Sequence, residues 1–281
     1  MRILLTGSKG FIGKNLVELL GDKYEFIEVT RDTEFDISDI NSLLKINNID
    51  VVIHTAAKTF VPDSFIQPYD FYKFNINSSL NIAEYCRIKK ISKLIYLNAY
   101  PYGKPDCCPI NEDHNISLHS PYNQSKHLSE LVITNYLETI TDVVSLRLFN
   151  LYGKHQRNDF VVPHIIKQAL KSNSVTVKDL DPKRDYLYIK DLVSLIDLII
   201  NTKSVVGSFN VGSAESYSVR DIINLVSSIL GKQLNIKSLG VRRDNEVMDC
   251  YADISKLTKN FGWTPKYLFR DGLADYIDKF E

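Results

Sequence analysis

Eight residues near the amino terminus, Thr6-Gly7-Ser8-Lys9-Gly10-Phe11-Ile12-Gly13, constrain this chain more than any other stretch. They follow an apolar run, Arg2 to Thr6, that reads as a strand, and they open an amphipathic stretch to Leu20 that reads as a helix. Glycines spaced G-x-x-G-x-x-G at such a junction permit a tight turn and let the backbone approach a pyrophosphate. They also let helix pack on strand, while the helix amino end turns N–H donors and a positive dipole toward the anion. The plainer reading is a turn and a helix start. The position between strand and helix favours a dinucleotide loop with Gly7, Lys9, Gly10, Phe11, Ile12 and Gly13 as candidate cofactor contacts, and no G-K-[ST] follows to make it a P-loop.

The same alternation continues. Strands are predicted at Glu25–Val29, Val51–His54, Leu94–Leu97 and Val143–Phe149, with helices at Tyr69–Lys89 and from Ser120-Pro121 onward. Only a short stretch separates Val29 from Val51, so one βα unit is abbreviated. The predicted fold class is α/β: a doubly wound, Rossmann-type parallel sheet with a smaller α/β carboxyl-terminal substrate lobe. Residues 1–150 plus about 186–211 are assigned to the dinucleotide domain, and about 151–185 plus 212–281 to the smaller lobe.

The end of the second predicted strand bears on the choice of dinucleotide. A carboxylate there accepts from the ribose 2′-hydroxyl of NAD, whereas an arginine pairs with the 2′-phosphate of NADP. The chain reads Val29-Thr30-Arg31-Asp32, so both cofactors stay open, with the weight on NADP(H) through Thr30 and Arg31 and NAD(H) as the alternative. Asp36 and Ile37 are candidates for the adenine edge; the plainer role of Asp36 is a cap for a helix over 38–44.

Charge and composition exclude other classes. Lys plus Arg and Asp plus Glu both number 34, so no net field holds a polyanion, and nucleic acid is not an expected partner. The apolar run at 192–200 is broken by Asp197, and the one at the amino terminus is far too short for a signal peptide, so no membrane partner is expected. Four cysteines without C-x-x-C spacing and six histidines without paired ligand spacing predict no metal site and a reducing, cytoplasmic location.

The 16 tyrosines are the compositional oddity. A tyrosine four residues before a lysine is the usual pair for proton transfer coupled to hydride transfer, because the ammonium favours phenolate. The spacing occurs at Tyr69/Lys73, Tyr85/Lys89, Tyr100/Lys104, Tyr122/Lys126 and Tyr186/Lys190, so spacing alone selects none. Only Tyr122/Lys126 starts a helix with a capping Ser120 and Pro121 at its first position, on the side of the sheet where ligands bind.

With these residues in place, the sequence resembles the extended short-chain dehydrogenase/reductase family, in its NAD(P)-dependent nucleotide-sugar epimerase, dehydratase and reductase branch. The resemblance spans nearly the whole chain. It rests on the glycine loop, Pro121 to Lys126, His54-Thr-Ala-Ala-Lys58, Asn75 to Asn81, Tyr102-Gly103, Leu146 to Gly153, Arg184 to Asp191, and Arg243 ahead of Ala252-Asp-Ile-Ser. It implies an oxidoreductase of carbohydrate biosynthesis, often a homodimer. Ala56, Ala57, Lys58 and Asn75 would line the cofactor, Tyr122 would be the acid/base, and Lys126 would hold the nicotinamide ribose. Asn150, Arg184 and Arg243 would hold the sugar nucleotide's diphosphate, with Val162 in the wall of the base pocket; surface ion pairing is the plainer role of the two arginines.

One departure stands out. The family places Ser or Thr four residues before the Tyr of Tyr-Gly, and this chain has Asn98 there, in Leu97-Asn-Ala-Tyr-Pro-Tyr-Gly103. An amide donates to a carbonyl oxygen but lacks a hydroxyl's combined donor and acceptor role in the same geometry. Asn98, or Tyr100, would steady the reacting oxygen. Ala99 and Tyr100 replace the Asp-Glu pair of the 4,6-dehydratases, so dehydration is disfavoured. The reading is NADPH-dependent reduction of the C4 ketone of a nucleotide-linked 4-keto-6-deoxy sugar. An NAD-dependent 4-epimerase and a catalytically impaired nucleotide-sugar-binding protein are the alternatives.

Overall fold

The computed structural model describes residues 1–242 and 246–280. In chain order the elements are β1 (Arg2–Thr6), α1 (Phe11–Leu20), β2 (Glu25–Val29), α2 (Ile40–Leu43), β3 (Val51–His54), α3 (Val61–Ile66), α4 (Pro68–Lys89), β4 (Lys93–Ala99), α5 (Pro121–Leu137) and β5 (Asp142–Leu148). They continue with β6 (Asn150–Tyr152), α6 (Val161–Lys171), β7 (Ser174–Val177), β8 (Lys183–Arg184), β9 (Tyr186–Tyr188), α7 (Ile189–Asn201) and β10 (Gly207–Val211). The last are β11 (Tyr217–Ser218), α8 (Val219–Leu230), β12 (Asn235–Ser238), α9 (Ser255–Phe261) and α10 (Phe269–Asp278).

Six strands form the central sheet in the order β10-β5-β4-β3-β1-β2. The β1–β2, β1–β3, β3–β4 and β4–β5 pairs are all parallel, with Ile3 in register with both Phe26 and Val51. Strands covered on both faces read as unbroken apolar runs, and β3 is buried at every position. The chain leaves β1 to one side for β2, then returns to the other side of β1 for β3. This reversal is the switch point at which doubly wound sheets bind ligands. The abbreviated unit is visible as α2, a single turn capped by Asp39, whose carboxylate accepts from Asn41 N.

The chain folds as two compact units. The first comprises Met1–Gly103, Ile116–Leu148 and Val193–Asn210; the second comprises Lys104–Asn115, Phe149–Leu192 and the chain from Val211 on. In the first, α4 packs beside α5, and Leu4, Val52, Leu94 and Tyr96 of the sheet meet Ile82, Ala83, Tyr85 and Ile133 in one apolar core. Among the described residues of the second, three two-stranded sheets form, β6–β9, β7–β12 and β8–β11.

The expected boundary at 186 is corrected. Tyr186–Tyr188 pairs in parallel with Asn150–Tyr152 rather than with the central sheet, so residues 186–192 group with the second unit. The reason is aromatic packing: Tyr186 stacks on Phe269 at 5.7 Å, and Tyr188 meets Tyr152 at 5.2 Å and Tyr267 at 5.0 Å. Much of the tyrosine surplus is spent in this cluster.

Candidate active site

The glycine loop is shaped by contacts that no side chain could share. Gly7 has φ +74°, and a Cβ on it would sit 2.8 Å from Thr55 Oγ1 and 2.9 Å from the Ala56 backbone; one on Gly13 would sit 2.3 Å from Gly7 O. The loop is thereby pressed against the segment leaving β3, which Ala56 N–H ties back to Thr6 Oγ1 at 3.2 Å. Gly10 is the N-cap of α1 and contributes no side-chain cap to the first-turn N–H groups. Ser8 is 3% exposed, and its Oγ has no partner in the protein. A buried hydroxyl and an uncapped helix end beside a backbone free of side chains fit a dinucleotide pyrophosphate.

At the end of β2, Asp32 pairs with Lys9 at 2.6 Å, both side chains being exposed, and Lys9 holds the Asp32 carboxyl below its usual range. The turn is fixed by Thr30, whose N–H donates to Thr33 Oγ1 at 3.0 Å and whose Oγ1 accepts from Asp32 N at 3.3 Å. Arg31 is exposed beside this pair. Asp36 accepts from Ser38 N at 2.8 Å and Ser38 Oγ at 2.7 Å, which lowers its pKa. Asp36 is therefore not the cap of the following helix, a role that Asp39 takes. Ile37 is buried, and its carbonyl accepts from Asn81 Nδ2 at 2.9 Å.

Beyond Ala56 and Ala57, Lys58 N–H donates to Asn75 Oδ1 at 2.8 Å, and Asn75 Nδ2 donates to Lys58 O at 3.2 Å and Ser125 Oγ at 2.9 Å. Asn75 is 2% exposed and fully engaged, so in this arrangement it staples the loop after β3 to α5. Lys58 Nζ pairs with Asp70 at 2.9 Å.

Helix α5 starts as the sequence predicts: Ser120 Oγ accepts from Asn123 N–H at 3.1 Å, and Pro121 occupies the first turn. Tyr122 is half-buried, its ring edge-on to Phe71 at 6.4 Å, and burial pushes its phenol up to about 12. One turn on, Lys126 is buried. Its Nζ donates to Leu97 O at 2.8 Å and stands 4.2 Å from the centre of the Tyr96 ring. Burial brings its pKa down to about 7, with the charge of Glu130 opposing.

The strand predicted at Leu94–Leu97 runs on to Ala99, so Asn98 lies inside β4, in register with Arg147 of β5. Asn98 is 2% exposed. Its Oδ1 accepts from Ala99 N–H at 2.9 Å, which fixes the amide's orientation, and its Nδ2 has no partner in the protein. Tyr100 is half-buried; its N–H donates to Leu148 O at 3.2 Å, and its carbonyl accepts from Asn123 Nδ2 of α5 at 3.4 Å.

The other tyrosine–lysine pairs are otherwise employed. Tyr69 is 71% exposed, and Tyr85 is a core residue donating to Ile46 O at 3.3 Å. Tyr100 and Lys104 fall in different units, and Lys190 pairs with Asp275 at 2.7 Å.

Sequence reasoning missed Ser8 and a buried cluster on Glu130, a residue of α5 whose carboxylate meets Arg147 at 3.1 Å. The available signal was an arginine inside the apolar run 143–149 and a glutamate four positions after Lys126.

In the second unit, Asn150 Nδ2 donates to Asp185 O at 3.1 Å, and Val162 is 2% exposed on α6. The Arg184 guanidinium pairs with Glu246 at 2.5 Å. Arg243 lies outside the described residues. An open cleft of about 510 Å³ in this unit is lined by Asp179, Asp181, Arg220, Ser238 and Arg242 among others; Arg242 pairs with Asp179 at 2.8 Å. Among the described residues, no group of three or more His, Cys, Asp or Glu is placed to hold a metal, and no helix is long and apolar enough to cross a membrane.

Comparison with known proteins defines the class. Residues 3–212 match the model of the NAD dependent epimerase/dehydratase family. The chain is 30% identical to GDP-6-deoxy-D-talose 4-dehydrogenase of Aggregatibacter actinomycetemcomitans over 93% of its own length and 92% of that protein. It superimposes on RMD from Pseudomonas aeruginosa, solved with NADPH, at a TM-score of 0.90 and 26% identity, covering 100% of this chain and 98% of the other. For UDP-glucose 4-epimerase of Thermotoga maritima, solved with UDP-glucose, the TM-score is 0.91 at 25% identity, with the same coverage. The chain therefore belongs to the NAD dependent epimerase/dehydratase family, whose members are NAD(P)-dependent enzymes acting on nucleotide sugars.

Proposed function

We propose that this protein uses NADPH to reduce the C4 ketone of a nucleotide-linked 4-keto-6-deoxy sugar. The observation that carries the reading is the buried, unpartnered Nδ2 of Asn98, held in place through its own Oδ1. A desolvated donor without a partner is unfavourable by about 1–3 kcal/mol unless a ligand oxygen satisfies it. A ketone oxygen that gains negative charge is the acceptor that uses it best. Bound NADPH supplies the hydride to the ketone carbon. Tyr122, a neutral phenol at pH 7, gives its proton to the oxygen as the alcohol forms. Lys126, at the end of β4 through Leu97 O, would hold the nicotinamide ribose.

The cofactor choice rests on Asp32 being engaged by Lys9 while Arg31 stands exposed beside it, as a 2′-phosphate requires, and on the likeness to a structure solved with NADPH. Asn150, Arg184 and Arg243 would hold the diphosphate, Arg184 exchanging Glu246 for phosphate oxygens, with Val162 in the base pocket. Exposed Leu80 and Ile88 on α4 and Leu128 and Leu131 on α5 support a homodimer, and four free cysteines suit the cytoplasm.

The test is incubation with NADPH and a panel of 4-keto-6-deoxy sugars on different nucleotides, following NADPH oxidation and identifying the alcohol formed. Purified protein that carries tightly bound NAD and interconverts two nucleotide sugars with no added reductant would instead establish the 4-epimerase, a reading favoured by the likeness to UDP-glucose 4-epimerases. Binding of both ligands without turnover would make the chain a binding protein.

A further inference from the structure

Glu130 lies one helical turn beyond Lys126 on the same face of α5 and is 2% exposed. Its carboxylate is locked from two strands. Oε1 accepts from Ser145 Oγ at 2.6 Å, Ser208 Oγ at 2.8 Å and Arg147 Nε at 3.1 Å, and Oε2 accepts from Arg147 Nη2 at 3.2 Å. Arg147 also donates to Tyr102 OH at 3.0 Å, and Tyr102 donates to Asn210 Oδ1 at 2.7 Å. Buried ion pairs are often no more stabilising than well-packed apolar side chains of equal volume, so stability alone is a weak account of this cluster.

We propose that Glu130 is a positioning residue that acts through Lys126: its carboxylate, fixed beneath α5, is the counter-charge that keeps the Lys126 side chain an ammonium able to bind the cofactor ribose. This rests on the reading of Tyr122 and Lys126 as the reacting pair. Burial favours the neutral amine at Lys126, and apart from Glu130 its surroundings oppose this only with dipoles, those of the Leu97 carbonyl and the face of the Tyr96 ring. β4 presents the Tyr96 ring, and β3 presents His54, which is buried and neutral at pH 7. α4 turns Asn75, Ser78 and Ser79 inward, and α5 itself offers Tyr122, a neutral phenol, and His127. From β5 comes Arg147, a second cation whose charge is spent on Glu130. Burial opposes ionisation of Glu130, but His127, Arg147 and Ser145 outweigh it and bring the carboxyl down to about 2, so the anion persists across the working range of pH.

The test is the pH dependence of NADPH binding, read by cofactor fluorescence, and of kcat/KM, in the wild type, Glu130→Gln and Glu130→Asp. In Glu130→Gln the alkaline loss of both is expected to begin about one pH unit lower, so that binding on that limb falls about tenfold. Glu130→Asp keeps the charge and is expected to keep the wild-type limb. An unmoved limb in Glu130→Gln, whatever its melting temperature, reduces Glu130 to a structural residue and overturns the proposal. If Glu130→Gln does not fold, Arg147→Met, which keeps the carboxylate and removes the cation paired with it, is expected to move the alkaline limb to higher pH, and an unmoved limb there overturns the proposal. Lys126→Met separates the failures: a limb that survives in it refutes the reading of Lys126 rather than the role of Glu130.

Discussion

Lys126 donates to the carbonyl of Leu97 at 2.8 Å, and Leu97 is the residue before Asn98. One hydrogen bond thus joins the helix that carries Tyr122 to the strand that carries the buried amide, and it sets the two groups of the proposed reaction on connected backbone.

Tyr122→Phe removes the phenolic proton and keeps the ring against Phe71. Turnover is expected to fall by about 10²–10⁴-fold, the usual contribution of a positioned acid, with NADPH affinity little changed. Steady-state kinetics beside a binding titration checks this; undiminished turnover would rule out Tyr122 as the acid.

Asn98→Ala removes the orphaned donor, so it should affect catalysis far more than stability. A loss of about 10²–10³-fold in kcat is expected, as for removal of one oxyanion donor. The unfolding free energy should change by only about 1 kcal/mol, because the one bond lost inside the protein is that from Ala99 N–H. Asn98→Ser, which restores a hydroxyl, should recover part of kcat. Comparable losses of kcat and stability would make Asn98 a structural residue.

Two buried groups give the apoprotein a characteristic stability profile. His54, within reach of Thr6 Oγ1 at 2.7 Å and Ser79 Oγ at 3.2 Å, is brought from 6.5 down to about 3 by burial and by Lys126. Between those values the unfolded chain binds more protons, so stability is lost as pH falls through that window. Lys126, lowered from 10.5 to about 7, makes stability rise with pH between about 7 and 10.5. Urea midpoints across pH test both slopes, and Lys126→Met should flatten the alkaline one.

Cofactor choice is expected to turn on two neighbours. Arg31→Ala should weaken NADPH binding by about tenfold or more, the worth of a charge-assisted bond to phosphate, and leave NADH nearly unchanged. Asp32→Asn removes the carboxylate paired with Lys9 and should favour NADPH over NADH. Fluorescence titration with both cofactors reads the ratio, and equal losses for the two in Arg31→Ala would place the 2′-phosphate elsewhere.

What the sequence by itself determined is local. The strand, turn and helix around Gly7 and Gly13, the start of α5 at Ser120-Pro121, and the shared helical face of Tyr122 and Lys126 all follow from steric rules and spacings within a few residues. The departure at Asn98 was legible too, because it stands at a fixed offset from Tyr102-Gly103. What only the tertiary structure decided is which distant groups meet. Asp32 finds Lys9 across 23 positions, Arg184 finds Glu246 across 62, and Ser208 reaches Glu130 across 78. Whether the amide of Asn98 is paired, and whether a charge is buried beside Lys126, depends on how strands and helices stack around it. No spacing along the chain encodes that, because desolvation and hydrogen-bond satisfaction are properties of the packed interior.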